Sequence, residues 1–136
     1  MFNGKMKSVT FSYDDGVKQD IRLVEILNRY GLKATFNLNS ELLGKGGSLD
    51  ILGKKISHNK IQPSEINEIY KGHEIAAHSL THPDMTEMAA NEVIRQVEHD
   101  RLNLSELAGY EVVGFAYPGK QPNYNSRIAQ IIENST

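Results

Sequence analysis

Cysteine is absent from this 136-residue chain, which excludes disulfide bonds and any zinc site built from thiolates. A metal ion in this protein would therefore have to bind histidine, aspartate or glutamate side chains. Long hydrophobic runs are also missing. Hydrophobic residues make up 39% of the chain, enough to fill the core of one globular domain but too dispersed for a membrane span. We therefore expect no membrane partner.

Runs of basic residues are equally absent, since 15 lysines and arginines are interspersed with 17 acidic residues for a net charge of -2. This pattern offers no surface for a phosphate backbone, so we expect no nucleic-acid partner. Residues 1–7 lack the apolar segment of about 7 to 15 residues that a secretory leader needs. The sequence as it stands predicts a cytoplasmic protein; a form whose leader had been removed would be extracytoplasmic.

Strand and helix patterns alternate from the first residues onward. Residues 7–12 are rich in β-branched and aromatic side chains and predict a strand. Residues 20–30 carry apolar side chains at helical spacing, and Gly31 follows where a helix C-terminus is expected. Residues 33–38 return to a strand pattern. The order strand, helix, strand predicts a parallel sheet.

The middle of the chain is less regular. Glycines interrupt residues 39–60, which we expect to form an insertion containing either a short helix or a hairpin. Pro63 opens a helix that ends before Gly72. A strand over residues 73–77 follows, which places His78 at the carboxyl end of a strand.

Two further helices and a fourth strand are predicted in the C-terminal half. Thr86 is expected to cap a helix that runs to about Leu107, and residues 111–117 and 125–134 are expected to form a strand and a final helix. The buried stripe of the long helix is predicted to comprise Val93, Ile94, Val97, Leu102 or Leu104, and Leu107. The fold class is therefore α/β, with parallel strands alternating with helices.

Chemically distinctive segments follow three of these strands: Asp-Asp-Gly at residues 14–16, His-Ser-Leu-Thr-His-Pro at 78–83 and Tyr-Pro-Gly at 117–119. In parallel α/β folds, ligands bind where strands reach their carboxyl ends. His78 and His82 are four residues apart, so both rings can face one ion. Of two adjacent carboxylates, one can bind the ion and the other can accept a proton. The pattern predicts metal-assisted hydrolysis.

Each segment also has an ordinary structural interpretation. Asp-Asp-Gly is common in turns, Tyr-Pro-Gly can simply end a strand, and a histidine pair can face solvent at the start of a helix. The occurrence of all three after strands favours the metal site over a purely structural α/β domain. The remaining histidines, His58, His73 and His99, are expected to be surface residues.

Residues 11–16, Phe-Ser-Tyr-Asp-Asp-Gly, resemble the first motif (Thr-Phe-Asp-Asp-Gly) of the polysaccharide deacetylase family, the chitooligosaccharide deacetylase homology domain of carbohydrate esterase family 4. Residues 78–83 resemble its second motif, His-Ser/Thr-x-x-His-Pro. Phe-Ala-Tyr-Pro-Gly at 115–119 lies where its third, Arg-x-Pro-Tyr, would be. The resemblance implies a single domain over residues 1–136 that forms a partial, distorted (β/α) barrel and lacks the C-terminal part of the family barrel.

The resemblance also implies an activity, the N-deacetylation of an N-acetylated carbohydrate by hydrolysis of a non-peptide carbon-nitrogen bond. Asp15, His78 and His82 would bind a divalent ion, typically zinc, although cobalt, nickel or iron also accepts imidazole and carboxylate ligands. Asp14 would be the general base. The backbone amide of Gly119 would donate to the oxyanion, a contribution worth about 3 to 4 kcal/mol for a well-placed donor.

Two departures from the family pattern favour an alternative, a truncated, non-catalytic relic that binds metal or glycan. Ala116 stands where the third motif has the arginine that orients the base, and Gly119 stands in place of its aromatic residue. The later motifs, including the general-acid histidine, would follow Thr136. Tyr13, Tyr117 and Pro118 are candidates for binding the sugar. An incomplete barrel would expose strand edges, so a homo-oligomer that covers them is a further expectation.

Overall fold

The computed structural model describes Gly4 and residues 6–135, so part of the N-terminal stretch in which no leader is predicted lies outside the described residues. Among the described residues, no helix has the length and apolar character needed to cross a membrane. The regular elements, in chain order, are β1 (Ser12–Asp14), α1 (Asp20–Arg29), β2 (Thr35–Leu38), β3 (Ser48–Ile51), β4 (Lys54–Ser57), α2 (Ile66–Ile69), β5 (Glu74–Ala77), α3 (Ala90–Ala108) and α4 (Ser126–Glu133).

The central sheet has the order β1-β2-β5, and all its strands are parallel. Phe115 extends the same order beyond β5 through a parallel bridge to Ala77. The Ala77 N–H donates to the Gly114 carbonyl at 2.8 Å, and the Ala116 N–H donates to the Ala77 carbonyl at 2.9 Å. The order of the strands thus follows the chain without a reversal, as in a barrel. The predicted parallel α/β class is confirmed.

The first strand begins where it was expected to end. The ladder between β1 and β2 starts at the pair Ser12 and Thr35 and closes at Asp14 and Asn37, so the predicted strand over residues 7–12 was wrong in its position. The regular part of β2 begins only at Thr35, and β1 can pair only alongside it. Asp14 is consequently the last residue of a strand rather than the first of a loop.

The glycine-containing insertion forms the hairpin, one of the two structures that were considered for it. A 3-10 turn covers Ser40–Leu42, and β3 and β4 form an antiparallel hairpin. The two residues between the strands, Leu52 and Gly53, have φ of 54° and 76°. A two-residue turn with positive φ at both positions matches the right-handed twist of a hairpin, and glycine adopts that conformation without steric cost.

The C-terminal elements correct two predictions. α3 begins at Ala90 and not after Thr86, because the backbone N–H and the hydroxyl of Thr86 both donate to Asp84 Oδ1 in a separate turn. Residues 111–117 form only the single bridge at Phe115 and not a regular strand. α4 is confirmed, and the side chain of Asn125 caps it by accepting from the Ile128 N–H.

The core lies between the sheet and helices α1, α2 and α3, and a second cluster joins α3 to α4. On α3 the buried apolar residues are Val93, Val97, Leu104 and Ala108, whereas Leu102 is 54% exposed. This settles the alternative between Leu102 and Leu104, because Leu104 follows Val97 by seven residues, two helical turns, and so lies on the same face. Ile94, also predicted on this stripe, is 38% exposed.

Replacing Leu104 and Leu102 by alanine should therefore have very different effects on stability. Leu104→Ala should lower the free energy of unfolding by about 2–5 kcal/mol, because it leaves a cavity in a fully buried position. Leu102→Ala, the matched control on the same helix, should change it by less than about 0.5 kcal/mol. Urea denaturation followed by circular dichroism measures both values, and equal losses would contradict the burial of the stripe.

Asp20, the first residue of α1, is buried and 4% exposed. The hydroxyl of Tyr70 donates to its Oδ2 at 2.7 Å. Burial is the main influence on this carboxyl and raises its pKa from 3.8 to about 6, although the Tyr70 hydrogen bond and nearby Lys60 act in the opposite direction. The folded protein therefore holds a proton here at a pH at which the unfolded chain has lost it.

This pKa difference predicts a pH-dependent loss of stability. The contribution of Asp20 is fully present below about pH 4 and is lost as the pH rises through about 6, because deprotonation is harder in the folded state. Asp20→Asn should match the wild type near pH 4 and exceed its stability at pH 7 by roughly 1–3 kcal/mol. Urea denaturation of metal-free protein at both pH values tests this, with the exposed carboxylate variant Glu87→Gln as the control. If the stability of Asp20→Asn depended on pH in the same way as that of the wild type, the prediction would be refuted.

Candidate metal centre

The three residues expected to bind a metal ion converge at the carboxyl ends of the strands. Asp15 directly follows β1, His78 directly follows β5, and His82 lies in the loop beyond it. One ligand atom from each side chain lies within 4.8 Å of the other two. Residues 63 positions apart in sequence thus meet on one edge of the sheet.

The backbone at this edge is unusual. Asp15, Ser79 and His82 have φ of 81°, 68° and 58°. Few residues other than glycine adopt positive φ, and such residues cluster at functional sites where the surrounding contacts hold them. The Asp15 N–H donates to the Asn37 carbonyl at 2.9 Å, which fixes the turn after β1.

His78 is buried and its ring orientation is fixed by hydrogen bonding. Its Nδ1–H donates to the carbonyl of Ala116 at 2.9 Å, so the lone pair is on Nε2, which points toward the other ligands. Burial lowers the pKa of His78 and outweighs the opposing effect of the Ala116 hydrogen bond. The imidazole is therefore neutral at pH 7, the form that binds a metal ion.

The spacing of the donors fits a divalent ion. His82 Nε2 lies 3.6 Å from Asp15 Oδ1, and the rings of His78 and His82 have centroids 5.0 Å apart. Two ligand atoms bound to one tetrahedral ion are expected ~3.4 Å apart, given bonds of about 2.1 Å. Two imidazole nitrogens and one carboxylate oxygen are a combination of donors that also occurs in zinc sites with an open coordination position.

Asp14 lies beside this cluster and is the more accessible carboxylate, with 56% of its side chain exposed. Its Oδ1 accepts from Asn37 Nδ2 at 2.7 Å, and its Oδ2 lies 4.0 Å from His78 Nε2. Asn37 also donates to the hydroxyl of Ser12 at 2.8 Å. One carboxylate oxygen is thus fixed by a buried amide, and the other faces the site. Sequence reasoning missed Asn37, although an asparagine inside a short apolar strand could have drawn attention to it.

The third segment reaches the site through Ala116, whose carbonyl holds His78. Gly119 lies three residues further along on an exposed turn with φ of 91°. Asn123 Nδ2 donates to the carbonyls of Tyr117 and Gly119 at 3.0 and 3.3 Å, and so fixes this turn.

The residues expected to bind sugar are packed against other aromatic rings. Tyr13 stacks on Phe36 of the core with ring centroids 5.7 Å apart. Tyr117 stacks on Tyr124 at 5.2 Å, and Pro118 beside it is buried. These contacts hold both tyrosines in defined orientations.

Two histidines predicted to lie at the surface do not. The side chain of His58 is only 24% exposed, and its Nε2 lies 3.1 Å from Asp15 Oδ2. His73 is buried, and its Nδ1 accepts from the Ala34 N–H. His99 is exposed as expected. Lys60, which sequence reasoning also missed, is buried with its Nζ 3.7 Å from Asp15 Oδ1.

A further missed residue is Asp100 on α3, which is fully buried. Its two carboxylate oxygens accept from the backbone N–H groups of Ser40 at 2.7 Å and His78 at 2.9 Å. Burial raises its pKa to about 6. A signal was available in the sequence, because Gln96 and Asp100 interrupt the apolar stripe of α3 on its buried face. Polar residues at such positions need partners inside the protein.

The chain resembles several deacetylases. It is 27% identical over 113 residues to the bifunctional xylanase/deacetylase of Pseudobutyrivibrio xylanivorans, a match that covers 82% of this chain and 16% of that protein. The Streptococcus pyogenes deacetylase PplD, solved in complex with acetate, superposes with a TM-score of 0.77 at 20% identity over 97% of this chain and 54% of that one. The Xyl-CE4 domain of a multidomain xylanase from the hindgut metagenome of Trinervitermes trinervoides gives a TM-score of 0.63 at 28% identity, over 89% of this chain and 52% of that one.

This chain therefore spans about half the length of these solved structures and a smaller share of the curated relative. Its fold is the predicted one, parallel strands and helices forming part of the (β/α) barrel of these deacetylases. The profile of the family described as polysaccharide deacetylase matches residues 3–135, nearly the whole chain. The chain belongs to the polysaccharide deacetylase family.

Proposed function

We propose that this site hydrolyses the acetamide of an N-acetylated carbohydrate with the help of a divalent ion held by Asp15, His78 and His82. We propose zinc as this ion. The observation that carries the proposal is the convergence of three ligand atoms within 4.8 Å at the carboxyl ends of the strands. The neutral, oriented imidazole of His78 and membership of the deacetylase family support it.

The ion, when bound, supplies Lewis acidity that polarises the acetamide carbonyl and lowers the pKa of water. Asp14 acts as the general base through Oδ2, because Asn37 already occupies Oδ1. The hydroxide formed adds to the carbonyl carbon, and collapse of the tetrahedral adduct breaks the C–N bond. The proton taken up by Asp14 returns to the leaving nitrogen, which releases acetate and a free amine.

Two features of the third segment serve this reaction in our proposal. The backbone N–H of Gly119 donates to the oxyanion of the adduct, and Asn123 fixes the turn that presents it. Tyr117 in the same segment and Tyr13 next to the base contact the sugar ring through their apolar faces, whereas Pro118, expected to do the same, is buried and takes no part.

A non-catalytic protein that binds metal or glycan is the second candidate. One observation favours it: within residues 6–135, Asp14 forms no ion pair with a lysine or an arginine, and Ala116 stands where the family motif has an arginine. In place of such a partner, the hydrogen bond from Asn37 holds the Asp14 carboxylate. The two candidates share the metal site and differ in turnover.

Metal uptake tests the ligand set. At a free zinc concentration of one hundred times Kd, the wild type should gain about 2.7 kcal/mol of stability. Asp15→Ala and His82→Ala should lose this gain and the bound ion, whereas His99→Ala, an exposed histidine on α3, should retain both. Thermal denaturation with and without zinc, combined with quantification of bound metal, measures the difference. Unchanged metal content in either ligand variant would disprove the assignment.

Asp14→Asn separates the two candidate functions. Asparagine can still accept from Asn37 but cannot take a proton, so metal affinity should persist while deacetylation falls by about 10² to 10⁴-fold. Acetate release from an N-acetylglucosamine oligomer in the presence of zinc is the assay. Turnover that persists in Asp14→Asn would show that Asp14 is not the base. A wild type that binds zinc without releasing acetate would establish the non-catalytic candidate.

A further inference from the structure

We propose that His58 is a positioning residue for the metal ligand Asp15: its Nε2–H donates to Asp15 Oδ2 and so orients Oδ1 toward the ion. The two atoms lie 3.1 Å apart, a hydrogen-bonding distance. The inference rests on the proposed metal site and adds to it a residue from the hairpin insertion.

His58 and the ligand His82 approach different oxygens of the Asp15 carboxylate. Asp15 Oδ1 faces His82 Nε2 at 3.6 Å, whereas Oδ2 faces His58. Within the described residues, the cluster whose ligand atoms all lie within 4.8 Å of one another contains Asp15, His78 and His82 but not His58. His58 therefore acts on the carboxylate and does not itself bind the ion.

The proton on His58 Nε2 is assigned by its two neighbours. Lys60 Nζ lies 3.2 Å from Nε2 on one side and the Asp15 carboxylate lies on the other. A carboxylate offers only lone pairs, and a hydrogen bond to a charged acceptor is about twice as strong as a neutral one. Lys60 forms an ion pair with the same carboxylate, its Nζ lying 3.7 Å from Asp15 Oδ1. The arrangement that satisfies the carboxylate is the one in which His58 donates to it.

Backbone hydrogen bonds build this contact into the fold. The Lys18 N–H donates to the Asn59 carbonyl at 2.9 Å, and the Ile61 N–H donates to the Gly16 carbonyl at 2.9 Å. An antiparallel bridge joins Val17 to Lys60. The segment that carries His58 is thus hydrogen-bonded to the loop that carries Asp15. A hydrogen bond to a metal ligand, such as that from His58 to Asp15, orients the ligand. Its loss typically weakens metal affinity about 10 to 100-fold.

The test is cobalt(II) binding by the full chain, because cobalt(II) reports both affinity and coordination through its visible absorption. His58→Ala should weaken binding by about 10 to 100-fold without changing the absorption bands of the saturated protein. His58→Gln keeps a side-chain N–H donor and should recover most of the affinity. His82→Ala should lose binding or change the bands, and His99→Ala should match the wild type.

Three results would overturn the proposal. Unchanged affinity in His58→Ala would show that the contact does not position Asp15, and altered bands in that variant would make His58 a ligand. Failure of His58→Gln to recover affinity, with thermal unfolding in chelator like that of the wild type, would exclude the hydrogen bond as the cause. A wild type that binds no cobalt(II) or zinc would instead refute the proposed metal site, and this inference with it.

Discussion

The register of the parallel sheet is the constraint on which the site depends. β2 pairs with β1 so that Asp14 lies opposite Asn37, and with β5 so that Leu38 lies opposite Ala77. Both neighbouring strands therefore end at the same edge, and the next residue of each is a candidate ligand. Because successive side chains point to opposite faces, a slip of one residue in either ladder would turn these side chains away from one another.

Buried polar groups hold the loops beyond that edge. Asp100 accepts from the backbone of His78, and Asn39 Nδ2 donates to the carbonyls of His78 and Ser79 at 2.6 and 2.9 Å. Burial of such groups costs free energy unless they form hydrogen bonds. Burial raises the pKa of Asp100 although the hydrogen bonds to Ser40 and His78 oppose this. The hydrogen bond from Asn39 to the Ser79 carbonyl in turn helps to hold Ser79 at its positive φ.

Local sequence patterns predicted the helices and strands where one face is buried, as in α1 and β5. They failed where long-range pairing decides the outcome. β1 was misplaced because its extent is set by pairing with β2. Residues 111–117 were expected to form a strand, but their apolar pattern does not reveal that only Phe115 pairs with a neighbouring strand. The start of α3 was misjudged because the Asp84 side chain competes for the N–H of Thr86.

The sequence by itself determined the chemistry of the candidate site. Asp15, His78 and His82 are recognisable because residue type and short spacing, together with the position after predicted strands, are local properties. Only the tertiary structure decided what surrounds them. His58 reaches Asp15 across 43 positions, and Asp100 reaches Ser40 across 60. No local pattern encodes such contacts, because they depend on how a hairpin and a helix pack against the rest of the protein. The local sequence of either element is compatible with many packing arrangements.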